Sequence, residues 1–316
     1  NATHTLSCGG KLVVTDVDTG ESTFAVQHGT GANGYGSFVL GPSGTWTYSA
    51  DNTQAAIQQL KAGDTLTDTF TVSSTDGTTH TVTVTIQGSN DAPVLAAETH
   101  AVTEDGTLLQ GRMVATDVDA GDTQAFSIAQ PVDGFMLNAD GSYSFDPAHA
   151  SYQHLAAGQI QDLVIPVKVT DSAGATSTQN LTISVTGTND GAVIGGRLAN
   201  YVKEDAVLST AGMLRAGGQL TVVDPDAGED HFVAQTGVTG AGHYGSFSID
   251  AGGHYSYTAD NSQTAIQQLK AGDTLTDSFT VSSADGTTHT IAVTIRGTND
   301  SPSLLVRSHS VSEDGA

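Results

Sequence analysis

The tetrapeptide Gly-x-Asn-Asp occurs three times in this chain, as Gly88-Ser89-Asn90-Asp91, Gly187-Thr188-Asn189-Asp190 and Gly297-Thr298-Asn299-Asp300. No other feature constrains the fold as tightly, because self-similarity at a fixed period marks an array of like units rather than one large domain. Each copy closes a Thr/Val-rich run and is soon followed by a Glu-Asp pair, at Glu104-Asp105, Glu204-Asp205 and Glu313-Asp314. Asp91, Asp190 and Asp300 stand about 100 residues apart, the size of a small β domain. The spacing predicts repeats over 1–91, 92–190 and 191–300, with 301–316 as the first strand of a following repeat.

Within each repeat the apolar pattern has a period of two. Val82-Thr83-Val84-Thr85-Ile86 alternates, and the same pattern returns at Leu181 to Val185 and at Ile291 to Ile295. Such runs read as half-buried antiparallel strands. Asp76-Gly77, Asp285-Gly286 and Asp171-Ser172-Ala173-Gly174 punctuate them as turns, so the last two strands of each repeat form a hairpin. Paired aromatics two residues apart, Trp46 and Tyr48, Tyr143 and Phe145, Tyr255 and Tyr257, share one sheet face and read as core. One segment departs from the β pattern. Asp51 to Gly63, repeated from Asp260 to Gly272, reads as one or two helical turns with an Asp or Asn N-cap, bridging two strands. The fold expected is all-β, a tandem array of sandwiches, each with a short helical crossover.

Thirty-four acids against 10 Lys and Arg give a formal charge of -24, which repels nucleic acid and anionic lipid and leaves cations as natural partners. No apolar run approaches the length of a membrane span. A single cysteine, Cys8, excludes an internal disulfide and reads as a small buried hydrophobe. Catalysis is not expected. A Gly-x-Ser-x-Gly elbow, a His-Glu-x-x-His helix and a phosphate-cradling loop are all missing, and the paired carboxylates recur at joints rather than in one cleft.

Those carboxylates form a pattern of their own. Each repeat carries an Asp-x-Asp after an apolar strand, at Asp16-Val17-Asp18, Asp117-Val118-Asp119 and Asp224-Pro225-Asp226. In a sandwich whose first strand runs away from the preceding joint and whose second runs back, the Asp-x-Asp lies at that joint, beside the turn carrying Asp76, Asp171 or Asp285. The Glu-Asp pair then falls at the opposite pole and faces the next joint. By this geometry the second joint gathers Glu104, Asp105, Asn189, Asp190, Asp224, Asp226 and Asp285. The first joint has Asn90, Asp91, Asp117, Asp119 and Asp171. Six crowded carboxylates need counter-charge, and oxygen ligands without a His or Cys partner select Ca²⁺, three of which would balance them.

The Asn-Asp-x-Pro joints at Asn90 to Pro93 and Asn299 to Pro302, the Val-x-Glu-Asp-Gly opening and the Asp-Val-Asp-x-Gly-Asp-like loop resemble VCBS repeats, bacterial cadherin-like domains of giant repeat-in-toxin adhesins. The resemblance spans essentially the whole chain. It implies cadherin-like or immunoglobulin-like sandwiches in an extracellular, cell-surface adhesin exported by a type I system, a calcium-rigidified extender used in attachment and biofilm formation. It also implies a ligand set of joint Asp and Asn, Asp-x-Asp and first-strand Glu, which adds Glu204, Asp205, Asn299, Asp300, Glu313 and Asp314. Three positions depart from the pattern: Ala206 follows Glu204-Asp205 in place of Gly, Gly191-Ala192 replaces the proline step of the second joint, and repeat 1 has no Glu-Asp pair.

The neighbours expected are adjacent repeats of the same or another chain, with direct binding of an exopolysaccharide or host glycan as an alternative. A third reading is a strand-donating filament. Joining tail to head puts 19 positions between Glu313 and Asp16, against 20 between Glu204 and Asp224.

Overall fold

Alternating side chains let each strand bury one face while its threonines meet water. In the computed structural model, which describes residues 4–198, 201–206, 212–308, 310 and 313, Val82, Val84 and Ile86 of strand Thr79–Gln87 are buried and the threonines between them are exposed. Ile291, Val293 and Ile295 repeat this on Thr288–Arg296. The expected hairpins form: Thr65–Ser73 pairs antiparallel with Thr79–Gln87, and Thr274–Ser282 with Thr288–Arg296.

The contacts define two compact units, Asn1–Val102 with Gly106–Pro147 and Asp162–Ser184, and Thr103–Asp105 with Ala148–Gln161 and Val185–Ala316. The division passes through the second repeat, so its Glu104 pole belongs to the same unit as the third repeat.

The third repeat shows the sandwich most fully. One sheet runs in the order Val193–Arg197, Met213–Val223, His254–Asp260, Gly245–Ile249, Gln235–Thr239. Facing it is a sheet of Tyr201–Lys203, Thr288–Arg296 and Thr274–Ser282. The first strand is thus split between the two sheets. Its first half pairs antiparallel with Met213–Val223, and its second lies parallel to Thr288–Arg296. The core between the sheets includes Phe247, Tyr257, Phe279, Val281 and Ile291. In the second repeat the order Ala125–Ile128, Ile160–Thr170, Thr176–Thr186, Glu98–Thr103 faces a sheet of Phe135–Leu137, Ser142–Phe145 and Leu109–Arg112.

In the first repeat, Thr5–Lys11, Thr45–Asp51, Gly36–Leu40 and Gln27–Thr30 face only the two-stranded hairpin. Among the described residues nothing lies on the outer edge of Thr79–Gln87. The reading of Cys8 is corrected: on Thr5–Lys11 it is exposed rather than buried. The aromatic ladder is as expected: Tyr48, Tyr143, Phe145, Tyr255 and Tyr257 are buried, and Trp46 packs half-buried against Phe70.

The crossover helices have the lower of the expected lengths but are differently capped. α1 (Ala55–Gln58) and α2 (Thr264–Gln267) are single turns with N-caps Gln54 and Gln263, neither making a side-chain cap bond. Asp51 instead accepts from the Thr53 amide and hydroxyl, both at 2.8 Å, and so closes a turn ahead of the helix. Asp260 does the same with Ser262.

These crossovers explain the glycine of Gly-x-Asn-Asp. The Gly88, Gly187 and Gly297 amides donate to the carbonyls of Asp64, Gln159 and Asp273. A Cβ on Gly187 would stand 2.2 Å from the Leu155 carbonyl oxygen, and one on Gly88 2.4 Å from that of Lys61. The close approach of two backbones, rather than a turn, requires glycine. Gly187→Ala should therefore lower unfolding stability by about 1–3 kcal/mol, the usual cost of overpacking. Urea unfolding with an unchanged midpoint would mean that the backbone yields at no cost.

Candidate metal centre at the repeat joints

Each joint is assembled from short segments that the hairpins and crossovers deliver to one place. Beyond the glycine, the asparagine amide donates to the carbonyl of the next residue: Asn90 to Asp91 at 2.8 Å, Asn189 to Asp190 at 3.0 Å, Asn299 to Asp300 at 3.2 Å. The joint aspartate then donates its backbone amide across to the following repeat. Asp91 N–H reaches Asp119 Oδ2 and Asp190 N–H reaches Asp226 Oδ2, both at 2.9 Å. The Asp-x-Asp is an Asx turn in every copy, the second amide donating to the first carboxylate (2.8, 3.0 and 2.9 Å for Asp18, Asp119 and Asp226). Backbone bonds tie the same loops to the crossover of the previous repeat, Ala120 to Gln59 and Ala227 to His154, each at 3.0 Å.

From the far pole of the second repeat comes Glu104, 2 % exposed. Its amide extends the ladder to Thr186, and its Oε2 accepts from the Thr188 amide at 3.1 Å. Glu204 repeats this with Arg296 and Thr298. Asp105 and Asp205 follow with positive φ of 58° and 53°, a conformation aspartate tolerates better than most side chains. They accept from Gln153 and Asn261 respectively.

One regularity runs through the joints. Asp117, Asp119, Asp122, Asp224, Asp226, Glu104 and Glu204 each spend one carboxylate oxygen on a hydrogen bond and leave the other buried without a partner. Asn90 Oδ1, Asp190 Oδ2, Glu229 Oε2 and Asn261 Oδ1 are also buried and unpartnered. Among the described residues no Lys or Arg nitrogen makes an ion pair with these acids. Ligand oxygens of Asp117, Asp122 and Asp171 lie within 4.8 Å of one another, as do those of Asp224, Asp226 and Glu229, of Asp16, Asp18 and Glu21, and of Glu204, Asp205 and Asp300.

The electrostatics carry the cost of this arrangement. Burial, then Asp190, Asp105 and Asp226, push the Glu104 carboxyl above its usual range despite the Thr188 hydrogen bond. Burial followed by Asp105, Asp226 and Asp224 does the same to Asp190, and burial with Asp119 and Asp117 to Asp91. Glu204 and Glu229 are raised too, first by burial and then by their acidic neighbours. Unpaired buried anions are expensive, and a cation held by the bare oxygens would offset that expense.

The turn acids are arranged differently. Asp285 accepts from Ser283, the Thr287 amide and hydroxyl, and the Ala192 amide, so both oxygens are engaged. Asp76 is held by Ser74 and Thr78. Asp171 sits at the turn position of Ser74 and Ser283, two residues earlier than Asp76 and Asp285, and accepts from Asn90 at 2.8 Å. Asp16 and Asp18 lie at the open end of repeat 1, more exposed than the buried Asp119 and Asp226. Asn299 and Asp300 are exposed beside Glu204, and Glu313 is exposed. Asp314 lies outside the described residues.

Three acids escaped the sequence reading: Asp122, Glu229 and Glu21. They occupy the sixth position of the Asp-x-Asp-x-Gly-Asp/Glu loop, so their recurrence in register was the available signal. Asn261 carried no comparable mark.

A family model for the bacterial cadherin-like domain matches residues 1–88, 90–187 and 189–297. Comparison with curated proteins finds no match. Among solved structures, the chain is similar to the protocadherin gamma B7 extracellular cadherin domains 1–4, with 16% identity and TM-score 0.50 over 91% of this chain and 71% of that one. Mouse cadherin-23 EC22–24 is also similar, with 12% identity and TM-score 0.46 over 90% and 89%. Three tandem matches, on sandwiches whose acidic loops meet at the joints, place this chain in the bacterial cadherin-like domain family.

Proposed function

We propose that this chain is a calcium-rigidified extender of a bacterial cell-surface adhesin, projecting adhesive modules for attachment and biofilm formation. The observation that carries the reading is the set of buried, unpartnered carboxylate oxygens contributed to one joint by both of its repeats. Hard oxygen donors without nitrogen or sulfur suit Ca²⁺, which accepts six to eight oxygens in flexible geometry, better than Mg²⁺, which demands near-ideal octahedra. At the second joint Glu104, Asp105, Asn189, Asp190, Asp224, Asp226 and Glu229 would hold it. At the first, Asn90, Asp91, Asp117, Asp119, Asp122 and Asp171 would do so. Ligands drawn from two repeats make the angle between them depend on the metal, and so turn calcium into a stiffener.

Calcium titration by calorimetry, with small-angle scattering at each end point, tests this. Binding in the range of roughly 10⁻⁴ to 10⁻³ M, the range of extracellular modules, with a larger radius of gyration in chelator, is the expected result. An absence of binding heat together with superimposable scattering profiles would refute it.

Acid should weaken binding. The carboxyls of Glu104 and Asp190 titrate above their usual range, so protons compete with the metal as pH falls through those raised values. In the metal-free chain the sign is opposite. A folded pKa above the unfolded one means that protonation favours the folded joint, so the penalty is full at neutral pH and is relieved as pH falls. Titrations at about pH 7 and about pH 5 in each condition would show the two opposite slopes.

A further inference from the structure

The two joints enter the following repeat by different chemistry. The first runs Asn90-Asp91-Ala92-Pro93 and the second Asn189-Asp190-Gly191-Ala192, so Ala192 stands where the first joint has proline. Proline has no N–H, whereas the amide of buried Ala192 donates to Asp285 Oδ2 at 3.0 Å. The turns change in step. Asp171 N–H to the Ala175 carbonyl and Ser283 N–H to that of Thr287 are the same bond in the two turns, which sets Ala173 at the position of Asp285. Where the entering residue has an N–H to satisfy, the turn offers a carboxylate; where it has none, the turn offers a methyl group.

Asp285 is suited to hold that amide rather than a metal. Ser283 and the Thr287 amide engage its Oδ1, and the Thr287 hydroxyl and the Ala192 amide its Oδ2. Asp171 joins Asp117 and Asp122 in one cluster of ligand oxygens, but the corresponding cluster at the second joint is Asp224, Asp226 and Glu229, without Asp285. Burial raises the Asp285 carboxyl, yet its hydrogen bonds outweigh that and hold it well below the usual carboxylate range, whereas Asp190 is raised. The charge of Asp285 is satisfied without a cation.

The segment that Asp285 holds carries a residue of the proposed site. Asp226 Oδ2 fixes the Asp190 amide at 2.9 Å, Asp285 fixes the Ala192 amide, and Val193 pairs with Val223, one residue before Asp224. The backbone around Asp190 is thereby pinned on both sides, and its Oδ2 is left buried and without a partner.

We propose that Asp285 is a positioning residue of the second joint: through the Ala192 amide it fixes the backbone that presents Asp190, and it does not itself ligate the cation. This role rests on the calcium reading of the joint. The tie forms without metal, so the entry to repeat 3 is preset in the metal-free chain. Removing a group that orients a metal ligand from behind typically lowers affinity by about 10- to 100-fold.

Ala192→Pro deletes the amide hydrogen and leaves every carboxylate in place. It copies Pro93, yet it should weaken the second joint rather than stiffen it, because proline destabilises where the replaced N–H was bonded. Calcium titration of the full chain can be followed on the Asp190 and Asp91 amide resonances, one reporter per joint. Affinity at Asp190 should fall about 10- to 100-fold in Ala192→Pro and in Asp285→Ala, with Asp91 unchanged. The Ala192→Pro/Asp285→Ala chain reproduces the Pro93 and Ala173 pairing that folds in the second repeat. It should be no weaker than the weaker single variant, since both substitutions act through one bond. In chelator, the Ala192 amide should exchange its hydrogen at least about tenfold faster in Asp285→Ala than in wild type. A loss of affinity in Asp285→Ala but not in Ala192→Pro would make Asp285 a ligand and overturn the proposal. So would additive losses in the double variant, or an Ala192 exchange rate indifferent to Asp285. A wild-type chain whose two amides ignore calcium refutes the calcium reading, and the positioning role falls with it; one that responds yet is indifferent to both substitutions refutes the positioning role alone.

Discussion

Calcium should raise the melting temperature of the wild-type chain by roughly 5–20 °C, and Asp224→Asn with Asp226→Asn should remove the share of that gain belonging to the second joint. A ligand at about 10 to 100 times its dissociation constant stabilises by about 1.4–2.7 kcal/mol per site. A domain of about 100 residues shifts by about 4–8 °C per kcal/mol. The double variant separates metal binding from mere structure because its two effects have opposite signs. Asparagine keeps an oxygen for the Asp190 amide, which Asp226 Oδ2 accepts at 2.9 Å, and another for the Asp226 amide, which Asp224 Oδ1 accepts at 2.9 Å. What it removes is the charge that helps push Glu104, Asp190 and Glu229 upward. In chelator the variant should be at least as stable as wild type; in calcium it should be less stable. Calorimetry in both buffers decides the matter, and equal losses in both would show the aspartates to be structural struts.

Asp68→Ala should cost about 3–6 kcal/mol and disrupt repeat 1, since each buried donor left unpaired costs about 1–3 kcal/mol. Asp68 is fully buried, and its carboxylate accepts from the amides of Asn33 at 2.9 Å, Thr69 at 3.0 Å and Gly36 at 3.1 Å, and from the Tyr48 hydroxyl at 2.8 Å. It pins the glycine-rich loop so closely that a Cβ on Gly31 would stand 2.0 Å from Asp68 Oδ2. Burial pushes its carboxyl up, but the hydrogen bonds outweigh that and hold it below its usual range. A depressed folded pKa means stability that is present above the unfolded value and lost as pH falls through the folded one. The penalty of Asp68→Ala should therefore shrink in acid. Repeat 3 has the same arrangement at Asp277, while repeat 2 places buried Ile165 at this strand position. A loss below about 1 kcal/mol at neutral pH would show that water replaces the carboxylate.

Asp68 shows where reading the chain stops. Alternation puts Asp68 on the core face with Phe70 and Val72, but nothing local says that a loop more than 30 residues earlier turns its amides inward upon it. Cys8 failed for the converse reason: a small apolar residue type promises burial, but burial is decided by what packs on the strand, and Cys8 is exposed. The helix cap failed because Asp51 and Asp260 satisfy the next residues locally, leaving glutamine at the cap. The joints were legible in outline, since a motif repeated in register with two others marks positions that meet whatever the fold. Asp122, Glu229 and Glu21 stood in the same loop and needed only the same treatment.

The sequence by itself determined the repeat, the hairpins, the buried aromatic ladder and the acidic character of the joints. Period-two alternation, Asp-Gly turns and recurrence are local properties, and they act before any long-range contact forms. Only the tertiary structure decided which oxygen of each carboxylate is spent and which is left bare, because the amides that spend them belong to loops distant in sequence. The Gly-x-Asn-Asp tetrapeptide spans both levels: its recurrence is written in the chain, whereas its glycine is required by a crossover carbonyl that only folding brings within 2.2–2.5 Å of a Cβ.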